Sequence, residues 1–137
     1  MTMMPIPASQ LSRLGPVRVL VVEDEAMVAM LVEDELLEAG AQVVGPAASV
    51  DEALRLLEAI GDGGLDIGVL DMNLGDRSVL PVADALARRA VPFIFMTGYG
   101  DTGTHGPHAE VPILQKPFSP CELVAILDRL LAAPRPA

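Results

Sequence analysis

Five short apolar runs recur along the 137-residue chain, and helical patterns alternate with them. That alternation constrains the fold more than any other feature. The first run is Val17-Arg18-Val19-Leu20-Val21-Val22, β-branched and almost wholly apolar, as strands are. The second is short, from Gln42 to Gly45, and ends at Pro46. The third, Ile67-Gly68-Val69-Leu70, stops on Asp71, with Gly75 and Asp76 marking a turn. The fourth is Phe93-Ile94-Phe95-Met96, which stops at Thr97-Gly98, and the fifth is Ile113-Leu114-Gln115, which ends at Lys116-Pro117. Continuous apolar runs of this length suit strands buried on both faces, which is the condition of a parallel sheet.

The intervening segments carry helix punctuation. Residues 26–39 read as a helix closed by Gly40. Ser49 with Glu52 three residues on forms a capping-box pattern ahead of DEALRLLEAI, which Gly61 ends. Residues 80–90 read as a helix with Pro81 near its start and Arg88 and Arg89 near its end. Residues 98–112 hold Gly100, Gly103, Gly106 and Pro107, so the fourth helix should be weak or irregular. Ser119-Pro120-Cys121-Glu122 caps a last helix over residues 123–131. The fold class is α/β: a doubly wound, five-stranded parallel sheet in the flavodoxin-like order 2-1-3-4-5. Residues 1–16 read as a flexible leader, 17–132 as one domain and 133–137 as a disordered tail.

Composition narrows the functions available. The net charge is −10, and aromatic residues make up 3% of the chain with no Trp. A chain so acidic and so poor in stacking side chains is not expected to bind nucleic acid directly. It suits a hard cation or a partner with a basic surface. The one cysteine, Cys121, forms no internal disulfide and sits in no metal-binding pattern, so it reads as a small, partly buried apolar residue. The N-terminus lacks a secretory pattern and no apolar run is long enough to span a bilayer. A cytoplasmic location follows as the expectation.

The strand ends carry the chemistry. The first strand ends on Glu23 and Asp24, the third on Asp71, the fourth on Thr97 and the fifth on Lys116. In a parallel sheet these ends share one edge, and ligands sit beyond that edge at the topological switch point. The first and third strands are neighbours in the expected order, so their acids converge. Like charges so close stay ionised only when a cation joins them. Oxygen ligands without His or thiolate select Mg²⁺ or a similar ion. Lys116 adds a point charge and Thr97 a hydroxyl donor, which completes a pocket for phosphoryl oxygens. Asp71 in that setting is equipped to attack phosphorus and form an aspartyl phosphate.

The motifs VLVVEDE, VLDMNL, FMTGYG and LQKPF, with their Glu23, Asp24, Asp71, Thr97 and Lys116, resemble those of response-regulator receiver domains of two-component signalling. The resemblance spans residues 17–131. It implies that Asp71 accepts a phosphoryl group from a histidine kinase or phosphotransfer protein. It implies that Asp24 and Asp71 hold Mg²⁺, that Asn73 offers its backbone carbonyl, and that Glu23 reaches the metal largely through water. Thr97 and Lys116 would bind the phosphoryl oxygens, and the Lys116–Pro117 bond would be cis. The string PFIFMTGYG further resembles the FATGUY-type subgroup, often stand-alone domains that work with kinases of the HWE and related types. Met96 stands where that motif has Ala. Ile113 stands where the family often has its switch aromatic, and Tyr99 is a candidate for part of that role.

The resemblance also makes the first helix a docking surface for a kinase helix pair. Met27 and Met30 in that helix read as core or near-core, and Glu33, Asp34, Glu35 and Glu38 as a solvated face able to steer a basic partner. His105 and His108 read as exposed loop residues, because Gly106-Pro107 opens the turn between them. Few residues follow the last helix, so the output is expected to leave by contact with a downstream protein or by onward phosphotransfer. The domain is then no enzyme beyond its own phosphorylation and dephosphorylation. Two alternatives stay open. One is a Mg²⁺-dependent phosphatase or phosphotransferase with an Asp nucleophile, which small-ester turnover would reveal. The other is a receiver-like binding module that takes no phosphate, which failure to label would reveal.

Overall fold

The computed structural model describes residues 14–75, 77–98, 108 and 110–132 of the chain. In chain order its elements are β1 (Arg18–Val22), α1 (Ala26–Glu38), β2 (Gln42–Ala47), α2 (Val50–Ile60), β3 (Ile67–Asp71), β4 (Asn73–Leu74), β5 (Arg77–Ser78), α3 (Leu80–Arg88), β6 (Phe93–Thr97), β7 (Ile113–Gln115) and α4 (Pro120–Ala132). Five of the strands form one parallel sheet in the order β2-β1-β3-β6-β7. β4 and β5 pair with each other as an antiparallel ribbon. With that ribbon set aside, the sheet has the expected 2-1-3-4-5 order. The expected irregular fourth helix lies largely in residues 99–107 and 109, outside the described residues, as do Tyr99 and His105.

Strand alternation sorts the interior into two cores, one on each face. Leu20, Val22, Leu70, Phe93 and Phe95 pack with Val50, Ala53 and Leu57 of α2 and with Val82, Ala83 and Leu86 of α3. Val19, Val21, Ile67, Val69, Ile94 and Met96 pack with Val32 and Leu36 of α1 and with Leu123, Val124 and Leu127 of α4. Residues i and i+2 of a strand share a face, so a run buried throughout feeds both layers. Gly68 permits the close approach of α3. A Cβ there would lie 2.8 Å from Leu86 Cδ1 and 3.3 Å from Phe93 Cβ.

Side-chain caps fix the starts of α2 and α4. Ser49 Oγ accepts from the Glu52 N–H at 3.1 Å, while the Glu52 carboxylate takes the Ala48 N–H at 3.4 Å. Ser119 and Glu122 form a reciprocal box, each accepting the other's backbone N–H at 3.2 Å. That box starts α4 at Pro120, three residues earlier than periodicity alone suggests, and leaves Cys121 exposed rather than partly buried. α3 has no side-chain bond at its N-cap Val79, but Ser78 Oγ accepts from the Leu80 N–H at 3.1 Å.

Four further local features differ from the sequence reading. β2 continues through Pro46 to Ala47. It is an edge strand, where proline's missing N–H costs little. Gly45 has φ 97° and a register shift falls opposite, between Leu20 and Val22, so the strand passes the proline as a bulge. Leu14 is buried in the α1/α4 core, and the N–H groups of Leu14 and Gly15 donate to Ala39 O at 3.2 and 3.3 Å. The β4–β5 ribbon occupies what the sequence presents as a plain turn. Met27 and Met30 are 79% and 61% exposed rather than core, because the stripe that meets the sheet is Ala29, Val32 and Leu36. Among the described residues no helix is long and apolar enough to cross a membrane.

Candidate functional site

Register determines which strand ends meet. Val22 pairs with Leu70 across β1 and β3, so Glu23 and Asp71 follow side by side. Asp71 pairs with Met96 of β6, and Thr97 comes next. Thr97 pairs with Gln115 of β7, and the Lys116 N–H donates to Thr97 O at 2.7 Å. The lysine stem then runs back across the edge. Its Nζ lies 2.7 Å from Glu23 Oε1 and 3.2 Å from Asp71 Oδ2. The Lys116–Pro117 bond is cis.

Among the described residues the buried polar or charged side chains are Glu23 (2% exposed), Asp71 (4%) and Thr97. Asp24 is exposed at the mouth. Glu23, Asp24 and Asp71 each bring a carboxylate oxygen within 4.8 Å of the others. Local backbone bonds aim two of the acids. Glu23 Oε2 accepts from the Glu25 N–H at 3.0 Å, and Asp71 Oδ1 accepts from the Asn73 N–H at 3.1 Å. Asn73 is exposed and begins the β4–β5 ribbon, which buried Leu74 roots in the core.

The electrostatics follow from this crowding. Burial, then the neighbouring Asp71 carboxylate, pushes the Glu23 acid up to about 7, against the opposing pull of Lys116 and the Glu25 N–H. Burial alone would lower the Lys116 ammonium. Its contact with Glu23 and the charges of Asp71 and Glu23 outweigh that, and its pKa is raised. One ammonium thus contacts two buried acids, with the exposed Asp24 beside them. Glu23 Oε1 is buried with charge contact to Lys116 but without a donor aligned on it as a hydrogen bond. A buried carboxylate oxygen with an open lone pair, in a set of oxygen donors only, fits a hard divalent cation. Glu23, Asp24 and Asp71 are the side chains that could hold one.

Beside Lys116 a cleft of about 490 Å³ opens between α1 and the turn into α4, lined by Glu25, Val28, Leu31, Lys116, Pro117 and Phe118. His108 is not an exposed loop residue. Its side chain is 11% exposed and its Nε2 lies 2.7 Å from Asp84 Oδ1 on α3. No periodicity or motif in the sequence signals that contact, which joins residues 24 positions apart. Ile113, in β7, is 43% exposed.

Several comparisons match this architecture. The response regulator receiver domain family matches residues 19–128. The phyllosphere-induced regulator PhyR of Methylorubrum extorquens is 30% identical over 114 residues, covering 82% of this chain and 43% of that protein. The chain spans about half the length of the curated relatives it matches. Among solved structures, SdrG of Sphingomonas melonis Fr1 superposes with a TM-score of 0.74 at 39% identity, covering 85% of this chain and 98% of that one. The receiver domain of Erythrobacter litoralis PhyR superposes with a TM-score of 0.75 at 26% identity, covering 90% and 98%. With the family match running from β1 into α4 and an acid-lined sheet edge between them, the chain belongs to the response-regulator receiver domains, the phosphoacceptor units of two-component signalling.

Proposed function

We propose that Asp71 accepts a phosphoryl group from a histidine kinase or phosphotransfer protein, with Mg²⁺ as cofactor. In this reading the signal leaves by protein contact or onward transfer. The observation that carries it is the convergence of Glu23, Asp24 and Asp71 within 4.8 Å, with the Lys116 ammonium 3.2 Å from Asp71 Oδ2. The Asp71 carboxylate oxygen attacks phosphorus. The P–O bond forms as the donor's P–N bond breaks, and the leaving imidazole nitrogen keeps the electron pair and takes a proton. Glu23, Asp24, Asp71 and the backbone carbonyl of Asn73 would hold Mg²⁺, which supplies positive charge where carboxylate and phosphoryl oxygens meet.

The chain's own groups do the rest. Lys116 exchanges part of its contact with the carboxylates for a charge-assisted bond to a phosphoryl oxygen. Thr97 donates its hydroxyl to another. The exposed side of α1, with Met27, Met30 and Leu31 among acids, receives the donor protein, which brings apolar and basic surface.

The test is mass spectrometry of the chain after exposure to acetyl phosphate with and without Mg²⁺. One hydroxylamine-sensitive phosphoryl group should appear with Mg²⁺, and Asp71→Asn should abolish it while the fold persists. Equal labelling of that variant would exclude Asp71 as the acceptor.

A further inference from the structure

His108 is the one histidine among the described residues, and the acid site makes no use of it. Its polar end meets α3, where Nε2 lies 2.7 Å from Asp84 Oδ1. Its ring stands edge-on to two aromatic rings of β6, with centroids 5.3 Å from Phe93 at 75° and 6.5 Å from Phe95 at 64°. Phe93 and Phe95 are themselves edge-to-face at 5.5 Å and 74°. Such pairs hold a defined geometry beyond simple area burial. The backbone is fixed nearby as well. The Val111 N–H donates to His108 O at 3.2 Å, and the Phe95 N–H donates to Pro112 O at 3.0 Å.

The position relative to the site matters. Phe93, Phe95 and Thr97 alternate onto the same face of β6, the face covered by α2 and α3. Phe95 is fully buried although its register partner Ile113 is half-exposed, so cover on that face comes from the His108 ring and the helices rather than from the edge strand. One imidazole therefore touches a helix through a nitrogen and, through its ring, the strand that ends in Thr97.

We propose that His108 is a positioning residue of the receiver switch, tying α3 to the strand that presents Thr97. This rests on the reading of Asp71 as acceptor and Thr97 as phosphoryl ligand. When Thr97 closes on the phosphoryl group, the end of β6 shifts. A packed aromatic column passes a displacement on rather than absorbing it, because interiors are close-packed. The seat of His108 on Asp84 then differs between the two states. Coupling of this kind is reciprocal, so altering the seat alters the phosphorylated state.

The test uses the full chain, labelled with acetyl phosphate and Mg²⁺ and then freed of donor. The lifetime of the phosphoryl group is followed by mass spectrometry in the wild type, Asp84→Asn, His108→Gln and His108→Leu. His108→Leu keeps an apolar filler but loses the Asp84 contact. It should change the lifetime by about threefold or more, the scale on which such networks couple. His108→Gln, which can still bond to Asp84, should fall nearer the wild type. The wild-type His108 ring resonances should shift on adding beryllofluoride and Mg²⁺. Asp84 is half-exposed, so Asp84→Asn folds even if a His108 variant does not. Wild-type lifetimes in both Asp84→Asn and His108→Leu, with unshifted ring resonances in a wild type that labels on Asp71, overturn the role of His108. A wild type that does not label on Asp71 overturns the acceptor reading and this proposal with it.

Discussion

Helix α2 buries Val50, Ala53 and Leu57 and turns Asp51, Arg55 and Glu58 outward, whereas α1 buries Ala29, Val32 and Leu36 and turns Met27, Met30, Leu31 and Leu37 outward. Helix α2 is a single apolar stripe with a capped start, and the fold uses all of it. Helix α1 carries more apolar surface than the sheet covers, and its N-cap Glu25 makes no side-chain cap bond. The same division runs through the site. By alternation Glu23, Asp71 and Lys116 share the parity of Val21, Val69 and Leu114, the α1/α4 face, while Thr97 shares that of Phe95, the α2/α3 face. The acid cluster and the surplus apolar surface thus lie together, with the cleft at Lys116 between them. The opposite face holds the densely packed column through which Thr97 is supported. Exposed apolar surface beside a reactive group is what a docking partner requires, and a closed core is what a transmitting element requires.

The largest effect that can break this contrast is on the packed face. Phe95→Ala removes a fully buried ring and should cost about 3–5 kcal/mol in denaturant unfolding. A cost under about 1 kcal/mol would mean that the column is loosely packed and unfit to transmit anything. On the chemical face the sharper probe is pH. The Glu23 acid is pushed up from 4.5 to about 7 in the folded, metal-free protein. A native pKa above the unfolded one favours the native state fully below about 4.5, and that contribution is lost as pH rises through about 7. Glu23→Gln has no such loss. Its stability should therefore gain on the wild type across that window by on the order of 3 kcal/mol, read from paired denaturation curves. Saturating Mg²⁺ should shrink the trend, since a cation favours the ionised acid. A difference between the two proteins that is flat with pH would show that burial and Asp71 do not hold the Glu23 acid raised.

Much of this arrangement was legible in the sequence, for physical reasons. Strands buried on both faces must be apolar runs, and a run that halts on Glu23 or Asp71 reveals both its end and the edge it reaches. Ser49 and Ser119 announced their helices because capping is local chemistry. What the sequence concealed was tertiary. Nothing local distinguishes Met30 from Val32 when a helix is apolar on both sides; only the position of the sheet does. The ribbon after Asp71 depends on Leu74 finding the core, so its residues alone present a turn. His108 gained its seat from Asp84, Phe93 and Phe95, none of which is a sequence neighbour. Pro46 usually marks a strand end, and here an edge position with Gly45 in a left-handed conformation let the strand continue.

The smallest expected effect is also the one that tests the surplus on α1. Glu35 is held above the usual carboxylate range, by burial first and then by the charges of Glu38 and Asp34, so a negative field accompanies the exposed methionines and leucines. If that surface exists for a partner, it contributes little to the fold. Met30→Ser should then shift unfolding by no more than about 0.5 kcal/mol, as exposed positions do. Labelling of Asp71 by acetyl phosphate should proceed at the wild-type rate, because a small donor needs no docking surface. Transfer from a phosphorylated histidine kinase that labels the wild type should slow. A loss above about 1 kcal/mol would place Met30 in the packing after all. The two faces would then differ in degree of burial rather than in task.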